Sequence, residues 1–439
     1  MLKQIIFFVI VLITLGVFFY TSGKLISLFR LTRPAYKIRN VFKRITLTFN
    51  VAFAQTKILR LPVIGIMHAL VFWGFMVILF SSLEMIIDGF LGTERILGGL
   101  GKVYDIIIGV GDIFALIILS AVIAFLIRRI FMKISRFSGA EIKHKSRIDA
   151  NFALVLILFL MITLLGTNMF YVGWSVRCGK ELIGVFPIST QLAQFIEGFS
   201  CHQLHLWYEI NWWGHILGIF FFANYLPYSK HFHVFLSIPN VFLTNLDPMG
   251  KLSSMESITR EVKLMMDSEK DYSDVPEEEE PVERFGVLDI EDITWKNYLD
   301  SLACTQCGRC TSVCPANITG KMLSPRKIIM DVRERMKEKG PEIVRKGKGY
   351  SDRKALVRDY ISEEELWACT TCNACAKECP INIDQPKLII DMRRYLVMEK
   401  SSAPGEINTI FSNIENNGAP WQFSQDDRME WAKDLTINV

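Results

Sequence analysis

Long apolar runs fill the first half of the chain, and a charged, helix-period pattern fills the second. The apolar runs lie at about 5–29, 61–87, 104–127, 152–172 and 206–227. Each reaches the roughly 20 helical residues that a bilayer core demands, so the pattern predicts five membrane-spanning helices. The loops between them differ in charge. Residues 30–60 carry eight Lys/Arg and residues 128–147 carry seven, whereas 88–103 and 173–205 carry two each. Positive loops stay on the cytoplasmic side. That places the N-terminus outside a bacterial inner membrane and everything after the fifth span in the cytoplasm. The first run exceeds a signal-peptide core and has no small-residue cleavage site, so it reads as a span.

Beyond the fifth span the pattern changes. Residues 240–270 are mixed and suit a membrane surface. Residues 271–283 (DYSDVPEEEEPVE) are acidic and contain prolines, the composition of a solvated linker. Residues 285–400 read as a mainly helical domain. The polar tail, 401–439, carries Trp421 and Trp431, which suits docking onto a partner. The expected division is therefore 1–239, 240–284, 285–400 and 401–439. Composition changes this picture little. Hydrophobic residues make up 51% and the net charge is +4. That charge is too small to argue for nucleic acid, and membrane topology accounts for it.

Eight of the ten cysteines carry the chemistry. Cys304, Cys307, Cys310 and Cys314 are followed by Pro315, and Cys369, Cys372, Cys375 and Cys379 by Pro380. Both groups read C-x2-C-x2-C-x3-C-P, the spacing of bacterial ferredoxins with two [4Fe–4S] clusters. A zinc site uses paired C-x2-C knuckles with four ligands per ion, a different pattern. Three thiolates of a tight C-x2-C-x2-C turn can reach one cubane, and the fourth serves the other. Cys304, Cys307, Cys310 and Cys379 are thus assigned to one cluster, and Cys369, Cys372, Cys375 and Cys314 to the second. The fold class expected is all-α: a five-helix transmembrane bundle followed by a helical two-[4Fe–4S] ferredoxin domain. The long helical insert between the cysteine groups resembles that of heterodisulfide reductase small subunits and succinate dehydrogenase iron–sulfur subunits.

Three of the seven histidines are candidate heme b ligands: His68, His215 and His233. The last two are 18 residues apart, five turns of one helix, or about 27 Å. His68 matches His233 in depth, so a heme b between these two is the first expectation. An ionisable side chain within a span is costly without a task. Gly65-Ile66-Met67-His68, Trp213-Gly214-His215 and the segment ending in His231-Phe232-His233 resemble the heme-ligand segments of respiratory nitrate reductase cytochrome b subunits. Those subunits have five spans, and that resemblance implies two hemes. Their second ligand on the second helix falls at Ile78 here. His215 then needs another partner, such as His202 or His205, and pairing of His68 with His215 stays open.

Cys178 and Cys201 lie in the outer loop, where a disulfide is expected. Glu84 and Asp105 read as helix-end acids. Asp112, deeper in its span, is either a proton relay at a quinone site or a buried structural acid. Lys57 and Arg60 read as topology charges. No Walker A, Rossmann, nucleophile-elbow or HExxH motif is present.

As a whole the chain resembles a membrane iron–sulfur oxidoreductase that fuses a nitrate-reductase-type cytochrome b domain to a heterodisulfide-reductase-type small subunit. The segment Asn416-Asn417-Gly418-Ala419-Pro420-Trp421 is similar to a Gly-Asn-Pro-Trp segment of that family. The resemblance implies a quinone in the membrane and a separate cytoplasmic partner, a CCG-domain or flavoprotein electron-transfer subunit. Two other readings stay open: a membrane-bound redox sensor or assembly factor, and a membrane anchor alone.

Overall fold

The computed structural model describes residues 1–137, 139, 141–266 and 284–433; the linker expected at 271–283 lies outside them. Among the described residues the regular structure is helical, with two isolated bridges and no strand.

Four helices are long and apolar enough to cross a membrane: α1 (Leu2–Ser27, continued by a 3-10 turn to Leu31), α3 (Pro62–Leu91), α4 (Lys102–Phe131) and α5 (His144–Arg177). The short α2 (Val41–Thr48) precedes α3. Large apolar side chains such as Phe8, Phe19, Ile106 and Ile162 point outward, as lipid-facing positions require. The fifth expected span is the 25-residue helix α7 (Cys201–Tyr225), which packs along α5 and α1. Its composition does not match the other four, because Glu209, Asn211 and His215 interrupt the apolar run. Small residues allow the α5–α7 approach. A side chain at Gly166 would overlap Asn211, and one at Gly218 would crowd Leu160.

The expectation that α7 runs unbroken to His233 is corrected. It ends at Tyr225, two 3-10 turns follow, and α8 (His233–Phe242) begins anew. Pro227 lacks the N–H that a continuing helix needs. Ser229 then caps the next turn by accepting from the His231 N–H at 3.0 Å. His215 and His233 therefore sit on different helices, and the five-turn phase argument does not apply.

The C-terminal domain packs directly onto the helix bundle. α9 (Glu256–Met266) precedes it, and α10 (Trp295–Ala303) opens it with a Thr294–Asn297 capping box. Its core joins Tyr298, Ile329, Val332, Met336, Leu388 and Met392. Leu28, from the end of the first membrane helix, is 4% exposed in that same core. Arg33 pairs through its backbone with Ile293 and Trp295. The tail helix Gly405–Asn417 has no buried residue, and Trp421 and Trp431 are 56% and 71% exposed. These tryptophans do not dock onto the chain's own body.

Candidate functional site: two thiol quartets above a histidine pair

The two cysteine loops share one backbone design. Gln306 and Thr371, one residue before the second thiol, have φ of 59° and 54°. Gly308 and Asn373, one residue after it, have φ of 75° and 59°. These left-handed positions curl each loop around its first sulfur. The Gln306 N–H donates to Cys304 Sγ at 3.4 Å, and the Thr371 N–H to Cys369 Sγ at 3.4 Å. At Gly308 a side chain would also collide with the Arg326 guanidinium, so glycine answers both needs there.

The fold gathers the thiols across the motifs. Cys379 lies within electrostatic reach of Cys304, Cys307 and Cys310. Cys314 lies within reach of Cys369 and Cys375, beside Cys372. Among the described residues no three His, Cys, Asp or Glu side chains converge closely enough to hold one metal ion. Burial, with like-charge neighbours behind it, pushes the Cys304 thiol up to about 11. Burial and neighbouring thiols push Cys375 and Cys379 up to about 12. Such thiols shed their protons only when a cationic centre takes the charge. All-thiolate quartets wrapped by backbone N–H groups fit [4Fe–4S] clusters.

A prediction follows from the sign of these shifts. The thiols are protonated at neutral pH, so cluster assembly releases protons. Iron–sulfur reconstitution of stripped protein is expected to fall steadily as pH is lowered from about 8.5 to 6.5. Cluster absorbance against pH checks this; a flat profile would contradict it.

The quartet holding Cys304 and Cys379 faces the membrane helices. Lys57 Nζ donates to the Cys379 carbonyl at 3.1 Å and to Asn382 Oδ1 at 2.5 Å. Arg60 donates to the Lys377 carbonyl at 3.2 Å. Ser146 Oγ donates to Gln306 Oε1 at 2.5 Å. Gly65 lets α3 pass under the Ile58 carbonyl, where any side chain would overlap. Sequence reasoning read Lys57 and Arg60 as topology charges; their contact with the cysteine loop spans over 300 residues and left no local signal. The other quartet lies at the surface, with Thr370, Thr371 and Cys372 exposed.

Beneath the first quartet, His68 on α3 comes within electrostatic reach of His233 at the start of α8. Nδ1 of each is buried without a hydrogen-bond partner. His231 stands beside them, 6.0 Å from the His233 ring, with Nδ1 against Ser229 Oγ at 3.0 Å. His215 is deeper and better oriented. Its Nδ1 meets the Leu160 carbonyl at 2.9 Å and Thr163 Oγ1 at 3.1 Å, which leaves Nε2 buried and unpaired. An Nδ1–H held by a carbonyl is the arrangement that aims Nε2 at a metal. His202 and His205 are corrected as partners for it. Both lie on α7 itself, near its N-terminus, and His205 packs on Trp174 at 4.4 Å. Ile78 is packed against Ile118 and Leu164 in the bundle core.

Asp112 has a structural task. It accepts from the Ile188 and Ser189 N–H groups at 2.8 and 2.9 Å, from Ser189 Oγ at 2.5 Å and from Asn168 at 3.2 Å. It thereby anchors the short helix α6 (Pro187–Leu192). Asn168 in turn accepts from Arg95 at 2.7 Å, and Arg95 lies 3.5 Å from Glu84. Glu84 is therefore buried in this network, not an interfacial helix end. Asp112→Asn is expected to cost about 1–3 kcal/mol of stability while quinone turnover stays close to the parent's; thermal unfolding and turnover measured together check this. Cys178 and Cys201 are joined as a disulfide.

Comparison with known proteins now bears on this geometry. Residues 303–383 match the 4Fe-4S dicluster domain family. The chain carries an iron–sulfur dicluster domain. It is 31% identical to the probable iron-sulfur-binding oxidoreductase FadF of Bacillus subtilis, over 86% of this chain and 53% of that one. It is 26% identical to the EtfAB:quinone oxidoreductase of Syntrophomonas wolfei, over 97% of this chain and 59% of that one. The dicluster region is 36% identical to one subunit of a CoB-CoM heterodisulfide reductase from Methanosarcina acetivorans, over 24% of this chain and 52% of that one. The relatives are iron–sulfur oxidoreductases, and the chain spans little more than half the length of the first two. No solved structure matches.

Proposed function

We propose that the chain is the electron-transfer subunit of a quinone-linked membrane oxidoreductase. In this reading Cys304, Cys307, Cys310 and Cys379 hold one [4Fe–4S] cluster, and Cys369, Cys372, Cys375 and Cys314 the other. His68 and His233 hold heme b in a membrane domain of the nitrate reductase cytochrome b type, with α7 as the fifth span. The clusters and heme supply one-electron carriers; the chain supplies position, burial and charge.

The observation that carries this reading is the stacking of one thiol quartet over the inner mouth of the helix bundle. Lys57 and Ser146 tie that quartet to the membrane helices, and the His68–His233 pair lies below. The exposed Cys372 loop gives the second cluster access to a cytoplasmic CCG-domain or flavoprotein partner. Charge in the 30–60 and 128–147 loops supports a cytoplasmic cluster domain and an N-terminus outside. One relative's name joins EtfAB to quinone, which supports a quinone as the membrane-side reactant.

Difference spectroscopy of the purified protein tests the proposal. Dithionite reduction is expected to give a heme b band together with bleaching of cluster absorbance. Cluster bleaching without any heme signal would remove the membrane leg of the path and favour a redox sensor.

A further inference from the structure

The two quartets differ in the charge around them. Three buried or half-buried cations converge on the membrane-facing one. Lys57 donates to the Cys379 carbonyl. Lys230 and Arg333 lie within electrostatic reach of Cys304. Lys230 Nζ donates to the Ser146 carbonyl at 2.6 Å and to Ser146 Oγ at 3.1 Å, and Arg333 donates to the Ser229 carbonyl at 2.8 Å. Arg333 Nε is buried with no partner. Among the described residues, none of these three cations has a carboxylate within ion-pairing distance of its charged nitrogens. Asp149 is the acid whose charge reaches both Lys230 and Arg333, and it is engaged by Tyr225 and the Lys230 N–H. Other nearby cations are neutralised: Arg309 pairs with Glu378 and Arg326 with Glu141, each at 2.5 Å.

The surface quartet has one such cation, Arg393, which donates to the Cys369 carbonyl at 2.5 Å and stacks on Trp367. Its Thr370–Cys372 loop is in water, where charges are screened.

We propose that Lys57, Lys230 and Arg333 make the membrane-facing cluster site the higher-potential of the two, so that electrons entering at the Cys372 loop move toward the membrane. The inference rests on the two-cluster reading above. Reduction adds one negative charge to a cluster already negative through its four thiolates. Unpaired cations in a low-dielectric surrounding favour that charge far more than screened ones do. Burial alone works the other way, but three full charges held against the site outweigh it. The step is a single electron leaving the reduced surface cluster and arriving at the oxidised membrane-facing one, with no bond made or broken.

The test is a redox titration of the full-length protein in detergent, followed by electron paramagnetic resonance. Two one-electron waves are expected. Lys57→Met and Lys230→Met should each move the higher wave to more negative potential by at least a tenfold change in its reduction equilibrium, about 59 mV. The lower wave should stay in place, and Lys57→Arg should keep both. Movement of the lower wave, or of neither, would overturn the inference. Loss of one cluster in the neutral variants but not in Lys57→Arg would support the same need for charge; loss in Lys57→Arg as well would overturn it. Absence of two cluster signals from the parent would instead sink the two-cluster reading.

Discussion

Alanine at His233 is expected to abolish the heme b band of the purified protein and reduce quinone turnover to background, while both clusters stay loaded. His233 opens α8, directly after the turns that Pro227 and Ser229 impose. Its Nδ1 and that of His68 are buried without hydrogen-bond partners. A buried, unpaired imidazole nitrogen costs free energy unless something binds it, and these two face one another. Loss of an axial ligand should exceed the roughly 10–100-fold cost typical of losing an outer-shell partner. His68→Ala should match His233→Ala, and His231→Ala should keep the band, because its Nδ1 is held against Ser229.

His215→Ala separates the two ligand assignments. If iron sits between His68 and His233, this variant keeps the band. A band that survives in His233→Ala but vanishes in His215→Ala would place the iron deeper, on the Nε2 that Leu160 and Thr163 orient. A band surviving in both variants would reject both sets. Iron content and cluster bleaching, measured in the same samples, distinguish a lost heme from a misfolded protein.

What was legible in the chain beforehand follows the range of the interactions. The cysteine loops were legible because cluster spacing is a local property. Six residues from Cys304 to Cys310 set the turn, and the same left-handed positions recur around Cys372. The apolar runs were legible because a helix in lipid must be apolar along its whole length. The break after Tyr225 carried a signal in Pro227 that the five-turn argument passed over. Other features had no local mark. Arg95 leaves a loop that reads as solvent-facing and returns to Glu84 and Asn168. Leu28 reads as the end of a membrane span and lies in the core of the cytoplasmic-type domain. Lys57 reads as one charge among eight in its loop, and only the folded chain brings it to Cys379. Each of these is a pairing of distant residues, which spacing along the chain does not encode.

Removing Arg335 is expected to cost about 3–5 kcal/mol, enough to unfold a domain of ordinary stability at moderate temperature. Its side chain is fully buried at the centre of the cluster domain. Asp289 accepts from its Nε at 2.9 Å and its Nη2 at 2.7 Å. Asp352 accepts from Nη1 at 2.5 Å and Nη2 at 2.8 Å, and the Lys354 carbonyl from Nη2 at 2.6 Å. Lys339 also reaches Asp289 at 2.8 Å. Arg335→Ala leaves Asp289 buried with Lys339 alone. Arg335→Lys should rescue only part, because an ammonium cannot span two carboxylates as a planar guanidinium does. Acid provides an independent readout. Hydrogen bonds from Arg335 hold the Asp352 carboxyl well below the usual carboxylate range. A depressed carboxyl contributes stability above its unfolded value, near 4, and loses it as pH falls toward the folded one. The parent should therefore weaken steeply below about pH 4, and Arg335→Ala should show less of that dependence. Loss of cluster absorbance against temperature, measured at neutral pH and at pH values below about 4, reads both effects. An alanine variant as stable as the parent would mean that this buried network contributes nothing net.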